Sequence, residues 1–570
     1  MQSDPRQVVY TLTARCRDCH RCLRVCPVSA IKMADGQAMV DAARCIACGA
    51  CIRECPQQAK TYRRDIDAAQ AFIDSGAPVA ASLAPAFAAE FPGWQRGRVV
   101  AALRKLGFRH VSETAIGAWH CARASADALK AGTGSICTAC PAVVNFVEKY
   151  RPELAGELVP VASPMVIHAR RLKELLGAGS RAVFIGPCVA KKTEPGRPGA
   201  EAVDAVITFT ELREWLARRG IDLAACEESG FDEQPCGAAR LFPLSGGLLK
   251  TASLDTDPAS PAHLMAAGPA QVREALDALG EGLAAGLEPL FCKDGCLGGP
   301  GFSAAGNAFG RRAELLRYNS GAPAGPDTPA PDLAASYGTQ PAVPRPAFTE
   351  EQIEAVFAAT GKMDKEQRLN CGACGYPTCR DKAVAVLEGM AVPEMCIPLM
   401  RRLAEQRTDK IISTSPNGIV LLDPKLEIIG MNPAFRQMFC CTDELIGRPI
   451  AYLMDPEPFE KVSSGAAEQF NAVVRHEKYS LVCRQIIYPL QQDGQVACIL
   501  VNLTDSRGAA EKVERLRGKT LSQAQDLLEH QISMAQELAK YLGESTARGE
   551  ELVRKLMELD EADDKERQDL

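Results

Sequence analysis

A multidomain chain that mixes α/β and α+β modules is the fold class this sequence predicts, and three observations carry the expectation. Its 570 residues exceed a single domain several-fold, so one hydrophobic core cannot account for it. A cysteine motif recurs near the start with identical internal spacing, which marks a duplication. Residues 319–346 (NSGAPAGPDTPAPDLAAS, then QPAVPRP) are dense in Ala, Pro and Gly, offer little to bury, and mark a linker between blocks of ordinary patterning.

Composition sets the outer limits. The chain is 46% hydrophobic and 24% charged, and no run approaches the roughly 18 apolar residues of a membrane span. The first residues place arginines among cysteines and lack an apolar signal region, so a cytoplasmic location is expected. A net charge of -6 without a sustained basic patch predicts no binding to nucleic acid or to a membrane. The 24 cysteines carry more information. In a reducing compartment, thiols clustered at CxxC spacing are metal ligands far more often than disulfide partners.

Cys16, Cys19, Cys22 and Cys26 form CxxCxxCxxxCP, and Cys45, Cys48, Cys51 and Cys55 repeat it, each copy closing on Pro27 or Pro56. Three cysteines two residues apart wrap one cube, and the fourth reaches the other cube. The expected ligand sets are therefore Cys16, Cys19, Cys22 and Cys55 for one [4Fe-4S] cluster, and Cys45, Cys48, Cys51 and Cys26 for the second. Zinc would need a closed tetrahedron of four ligands, and eight cysteines in duplicated register weigh against it. Residues 9–60 resemble bacterial two-cluster ferredoxins, and residues 1–62 are the expected domain.

Residues 75–318 alternate apolar strand-like runs (Val79 to Leu83, Ala182 to Ile185) with helical stretches (Trp94 to Leu106, Met165 to Leu176), which predicts an α/β domain. Three motifs are scattered through it: ICTACP around Cys140, GPCVAKKTE around Cys188, and CKDGC with LGGPG after it, giving Cys292 and Cys296. Pro141, Pro187 and the glycines at 295, 298, 299 and 301 suit backbone that approaches a bulky inorganic centre closely. Together and in this order, with ITFTELREWL and PLSGGLLKTA between them, these stretches resemble the C-terminal catalytic domain of iron-only ([FeFe]) hydrogenases over residues 78–316.

The resemblance implies an H-cluster: a [4Fe-4S] cube on Cys140, Cys188, Cys292 and Cys296, with Cys296 bridging to a two-iron unit, and Lys191 hydrogen-bonding a cyanide of that unit. It also exposes departures. Catalytic members carry a proton-transfer cysteine immediately before the first ligand, where this chain has Ala139. The family's acidic relay should fall near residues 117–125, yet GAWHCARAS holds no carboxylate; Gly186 replaces the usual methionine, and Pro300 breaks the glycine run. Losing a positioned acid–base group costs about 10²–10⁴ in rate, so low turnover is expected. Cys137, His120 and Cys121 read as packing residues, and Cys226 and Cys236 as buried thiols.

LNCGACGYPTC and a later MC supply Cys371, Cys374, Cys379 and Cys396, which resemble the small four-cysteine iron–sulfur domain of anaerobic electron-transfer proteins; residues 348–407 are its expected extent, with zinc as the bland alternative. Residues 408–506 contain NGIVLLDPKLEIIGMNPAFRQMF, DELIGRPIAYLM and CILVNLTDSR, and this order of strands around a short helix after Asn432 resembles a PAS domain. Its ligand is left open, with His476, Cys440, Cys441, Cys483 and Cys498 read as fold or surface residues. Leu521, Ala524, Leu528, Ala535, Leu538 and Leu542 stand at heptad-like intervals, so residues 507–570 are expected to form a coiled-coil signalling helix that pairs two copies of the chain.

The resulting expectation is a sensory [FeFe]-hydrogenase-like protein that reads hydrogen or redox state and signals through a separate kinase or phosphatase. Its other expected partners are protons, ferredoxin or another redox protein, and the maturation proteins that insert the two-iron unit. A working ferredoxin-linked hydrogenase and a non-enzymatic iron–sulfur scaffold without the two-iron unit are the rivals.

Overall fold

The computed structural model describes residues 7–504, apart from 178, 235–236, 258–259, 261, 304–305, 321–324, 326–328, 345 and 491–493; beyond 504 it describes residues 528, 529, 531 and 534. Apart from those four residues, the expected signalling helix lies outside the described residues, as does Cys236. Two bodies divide the chain, Met1–Met400 and Arg401–Leu570.

The duplication near the start is repeated in the backbone. Strand Val9–Thr11 pairs antiparallel with Lys60–Tyr62, and Ile31–Ala34 pairs with Gln37–Val40 across an Asp35-Gly36 turn whose two residues both have positive φ, as a tight hairpin turn requires. Helices Arg21–Val25 and Ala50–Arg53 each follow a residue in the left-handed region, His20 and Gly49. Asp18 pairs with Ala47 and Ser29 with Gln58 in the same way, at the offset that separates Cys16 from Cys45. Non-glycine residues pay strain for that conformation, and here they curl the chain around the cysteines.

The middle of the first body is built on a four-stranded parallel sheet in the order His110–Glu113, Val79–Leu83, Arg181–Gly186, Ala205–Thr208. All five residues of Val79–Leu83 are buried, as expected for a parallel strand covered on both faces. Its two neighbours leave on opposite sides, so the carboxyl end of Val79–Leu83 is a topological switch point, where open α/β sheets leave a crevice. Helices Ala115–Ala131 and Pro164–Leu176 flank that crevice. Thr208 caps helix Phe209–Arg218 in a reciprocal box with Glu211, worth about 1 kcal/mol.

A smaller parallel pair, His263–Ala267 with Gly286–Leu290, is linked by helix Pro269–Gly280 and runs directly into Cys292. Ile136 bridges to both Leu158 and Leu287, which brings the Cys140 loop against this second sheet.

The Pro-rich stretch behaves differently from a free linker where it is described. Ala334 forms a bridge with Val161, the Tyr337 hydroxyl donates to the Val161 carbonyl (2.8 Å), and Leu333 packs on the core. Composition predicted the shortage of apolar side chains, but extended backbone can still satisfy itself along a neighbour's edge.

Helices Glu350–Ala359 and Cys379–Leu387 build the next small domain, the latter starting on a cysteine and capped by Thr378 with Asp381. In the second body, five antiparallel strands lie in the order Ile428–Met431, Gly418–Leu422, Gln495–Asn502, Leu481–Leu490, Phe470–His476. Asn432 ties it together: its Oδ1 accepts from Ile419 N (2.8 Å) and Phe435 N (2.9 Å), while Nδ2 donates to the Asn417 carbonyl (2.8 Å). Among the described residues, no helix is long and apolar enough to cross a membrane.

Candidate functional site: cysteine cages around an apolar cavity

The structure gathers the eight early cysteines into two groups. Cys16, Cys19, Cys22 and Cys55 surround one cavity of about 20 Å³, and Cys26, Cys45, Cys48 and Cys51 surround another of the same size. The sulfurs enclose voids; among the described residues no three metal-binding side chains converge on a single-ion site. The backbone N–H groups of Ala30, Ala47 and Ala59 point at Cys26, Cys45 and Cys55 sulfurs at 3.2–3.3 Å. These are the polar contacts that stabilise thiolates in a cluster cage and tune it. Burial pushes Cys22 up to about 11, so such thiols ionise only when iron supplies compensating charge. Lys60, which the sequence did not single out, is buried on the wall of the first cavity and donates to Thr11 Oγ1 (2.6 Å) and the Ala38 carbonyl (2.5 Å).

The second cage abuts the central cysteines. Cys48 and Cys292 line one cleft of about 50 Å³ with Pro300, and Arg53 donates to the Gly298 carbonyl at 2.9 Å. A Cβ on Gly49, which has φ +75°, would lie 2.4 Å from Pro300 Cγ. Pro300, a departure from the family's glycine run, is thus one of the contacts on which the N-terminal cysteine-repeat domain docks, with Tyr62 on Thr208 and Lys149 on the Cys45 carbonyl among the others.

Cys140 sits at the N-terminus of helix Pro141–Tyr150, Cys188 follows strand Arg181–Gly186, and Cys296 ends strand Lys293–Cys296. Gly299 and Gly301 press on the Pro187 carbonyl, where a Cβ would come within 2.6 and 2.8 Å, so the loop closes beside Cys188. Beyond Cys188 and Cys296, at the switch point, lies a cavity of about 80 Å³. Its wall is mostly apolar, with Pro85, Met165, Phe184 and Phe242, and Ala139 stands in it. Gly186 has no room for a side chain, because the Phe184 ring would be 2.6 Å from its Cβ.

Three polar groups face this apolar wall. Lys191 Nζ is 2.8 Å from the Glu194 carboxylate and donates to the Ala139 carbonyl at 3.3 Å. Thr114 is buried there. Glu288, fully buried, accepts from Leu248 N (3.1 Å) and Leu249 N (2.9 Å). Burial pushes its carboxyl up to about 7, against the pull of those backbone donors. The one local sign of it is a lone acid inside the apolar strand Gly286–Leu290 just before Cys292. Protonated below about pH 7, Glu288 should show a buried-carboxyl C=O infrared band that fades as pH rises through that value and is missing from Glu288→Gln. Cys137 is buried on the same wall, whereas Cys121 and His120 are buried on helix Ala115–Ala131.

Cys371, Cys374, Cys379 and Cys396 share the small domain that follows. Lys362 Nζ lies 3.1 Å from Cys379 Sγ, and Asn370 Oδ1 accepts from Cys379 N at 2.8 Å. This domain docks on the first one: a Cβ on Gly375 would lie 2.9 Å from Leu23 Cβ, Arg44 pairs with Glu388 at 2.7 Å, and Met33 N donates to the Met390 carbonyl at 2.9 Å. In the second body, Cys483 and Cys498 are fully buried, Cys440 is exposed and Cys441 half-buried, while the His476 ring packs edge-on to Phe439. The core there is filled by Phe435, Phe439 and Phe459.

Caged cysteines beside a switch-point cavity, joined to a five-stranded antiparallel domain, define an iron–sulfur protein of hydrogenase-like fold with an added PAS module. Comparison agrees domain by domain. Residues 77–300 match the iron-only hydrogenase large subunit, C-terminal domain; residues 8–71 a 4Fe-4S dicluster domain; residues 367–398 a putative Fe-S cluster domain; and residues 406–473 a PAS domain. The chain is thus an iron–sulfur protein with a hydrogenase-like domain over residues 77–300 and a PAS domain. It is 30% identical over 183 residues to an NADP-reducing hydrogenase subunit of Solidesulfovibrio fructosivorans, covering 27% of this chain and 31% of that protein. It is 28% identical over 179 residues to the periplasmic [Fe] hydrogenase large subunit of Nitratidesulfovibrio vulgaris, covering 27% and 42%. A cytosolic Fe-S cluster assembly factor of Vanderwaltozyma polyspora is 36% identical over 92 residues, covering 16% and 18%. The matches span less than half the length of each of these relatives.

Proposed function

We propose that this chain is a cytoplasmic sensory hydrogenase-like protein: hydrogen or redox state is read at an H-cluster, and electrons pass through [4Fe-4S] clusters to alter the PAS domain and the helix beyond it. The observation that carries this reading is Ala139 in the wall of a cavity that Cys188, Lys191 and Cys296 also line. Cys140, Cys188, Cys292 and Cys296 would hold the cube and Lys191 would donate to the two-iron unit. That unit, when bound, supplies heterolytic hydrogen splitting. The residues around it form a mostly apolar wall and provide no thiol at position 139, which favours slow exchange with hydrogen over fast turnover. Cys26, Cys45, Cys48 and Cys51 would hold the cluster nearest to Cys292, Cys16, Cys19, Cys22 and Cys55 the next, and Cys371, Cys374, Cys379 and Cys396 a third. The similarity to hydrogenase subunits and the attached PAS domain support the reading.

Infrared spectroscopy of the full chain, matured with the hydrogenase maturation proteins and measured under argon and then hydrogen, tests it. CO and CN bands that shift with hydrogen, together with low turnover, are the expected result. Turnover equal to that of a catalytic hydrogenase matured alongside would favour the working-enzyme reading. No such bands beside a positive control would overturn the proposal in favour of an ordinary-cluster scaffold.

A further inference from the structure

Any chemistry that splits hydrogen in the cavity needs a route for protons, and neither Ala139 nor the helix Ala115–Ala131 supplies an acid–base group where the family keeps one. A different set of polar groups runs away from the cavity wall through the core. Thr114, on the wall, has its Oγ1 2.7 Å from Ser82 Oγ, and that oxygen is 2.7 Å from His168 Nδ1. On the far side of the ring, His168 Nε2 is 3.1 Å from Ser112 Oγ and 3.9 Å from Glu233 Oε2. The same carboxylate oxygen is 3.5 Å from His110 Nε2, while Oε1 takes Arg171 Nε at 2.9 Å.

Ser82, Thr114, His168 and Ser112 are all at most 3% exposed, and they interrupt a core made otherwise of residues such as Leu83, Val111 and Ile167. Buried hydroxyls and an imidazole are costly unless every one is bonded, and apolar side chains would fill the space between sheet and helix at less risk. The side chains of Glu233 and His110 are each 12% exposed, so the row leads from the mostly apolar cavity wall to a place that water can reach. Glu233 Oε2 is buried between the two imidazoles at 3.5 and 3.9 Å; although burial opposes it, His110, His168 and Arg171 hold this carboxyl well below the usual range, so a proton it takes is passed on at once. Burial also keeps His168 neutral, although Glu233 opposes this, so its ring offers one N–H and one lone pair.

We propose that Thr114, Ser82, His168 and Glu233 form a proton relay between the two-iron cavity and solvent, in place of the route that position 139 serves in the family. The proposal rests on the functional reading above, since it needs a bound two-iron unit. For an outgoing proton, Thr114 Oγ1 takes it from the cavity and passes its own to Ser82 Oγ. Ser82 passes its own to His168 Nδ1, and His168 releases its Nε2 proton to Glu233 Oε2 after a side-chain shift of under about 1 Å, enough to bring 3.9 Å within hydrogen-bond range. Each O–H or N–H bond that forms replaces one that breaks, and no charge stays in the core. Solvent beside His110 and Arg171 takes the proton from Glu233, and the hydroxyls rotate and the ring exchanges tautomers before the next transfer.

The test compares the matured full chain with Thr114→Val, Ser82→Ala and Thr114→Ser. Hydrogen evolution is measured together with the rate at which the CO bands respond to a pH jump, a readout that does not depend on turnover. Thr114→Val and Ser82→Ala should leave the equilibrium bands in place and slow both rates at least about tenfold, the low end of what a positioned proton-transfer group contributes, and Thr114→Ser should restore them. Unchanged rates in Thr114→Val and Ser82→Ala with bands intact would overturn the relay alone. Bands displaced or lost in both, without rescue by serine, would also overturn it, because the hydroxyls would then only shape the cavity. No CO or CN bands in the unsubstituted chain would overturn the relay and the functional reading together.

Discussion

Replacing Ala139 with cysteine is expected to raise hydrogen turnover by about 10²-fold, the lower end of what a positioned acid–base group contributes. The residue lines the cavity and immediately precedes Cys140, so a thiol at this position would stand in the cavity wall. The gain should stop short of the larger values, because GAWHCARAS places no carboxylate behind position 139 to carry the proton onward. Hydrogen evolution from a chemical reductant, normalised to CO-band intensity, measures the effect. A gain below threefold would mean that proton supply does not limit the rate, and would favour the working-hydrogenase reading with its own route.

The second large effect concerns the crossing of the two cysteine repeats. Cys55→Ser should remove the cluster on Cys16, Cys19 and Cys22 and spare the one on Cys45, Cys48 and Cys51, while Cys26→Ser should do the reverse. Each variant should lose about four iron atoms per chain. Iron analysis gives the number and magnetic resonance of the reduced protein gives the identity: Cys26→Ser should change the signal of the cluster nearest to Cys292, and Cys55→Ser should leave it. The cavities already group the sulfurs this way, with Cys55 beside Cys16 and Cys26 beside Cys45. Loss of the same cluster in both variants would defeat the crossed assignment.

Much of this was legible in the sequence because it is written locally. The spacing of Cys16 to Cys26 dictates a wrapped cage, and the strand run Val79 to Leu83 appears in the fold with the same bounds. What stayed hidden depends on residues far apart meeting in space. Ser82 and His168 touch across two elements, and neither residue alone differs from ordinary serine or histidine. Glu288 gave a faint signal as an acid in an apolar strand, but its cavity comes from the Cys140 and Cys188 loops. The Pro-rich stretch was misleading in part, because composition reports what side chains can bury and not what backbone can bond, as Ala334 does with Val161. Pro300 looked like a defect in a glycine run until Gly49 was seen against it.

Gly49 on Pro300 and Gly375 on Leu23 hold the first domain between two neighbours at backbone contact. A domain clamped on both sides cannot swing out as a tethered shuttle that collects electrons and carries them home. Under the function proposed above, charge would hop along a fixed file of centres, at a rate that answers to any side chain widening either gap. On the same reading, an outside donor or acceptor would approach at the rims where Cys19 and Cys371 are exposed.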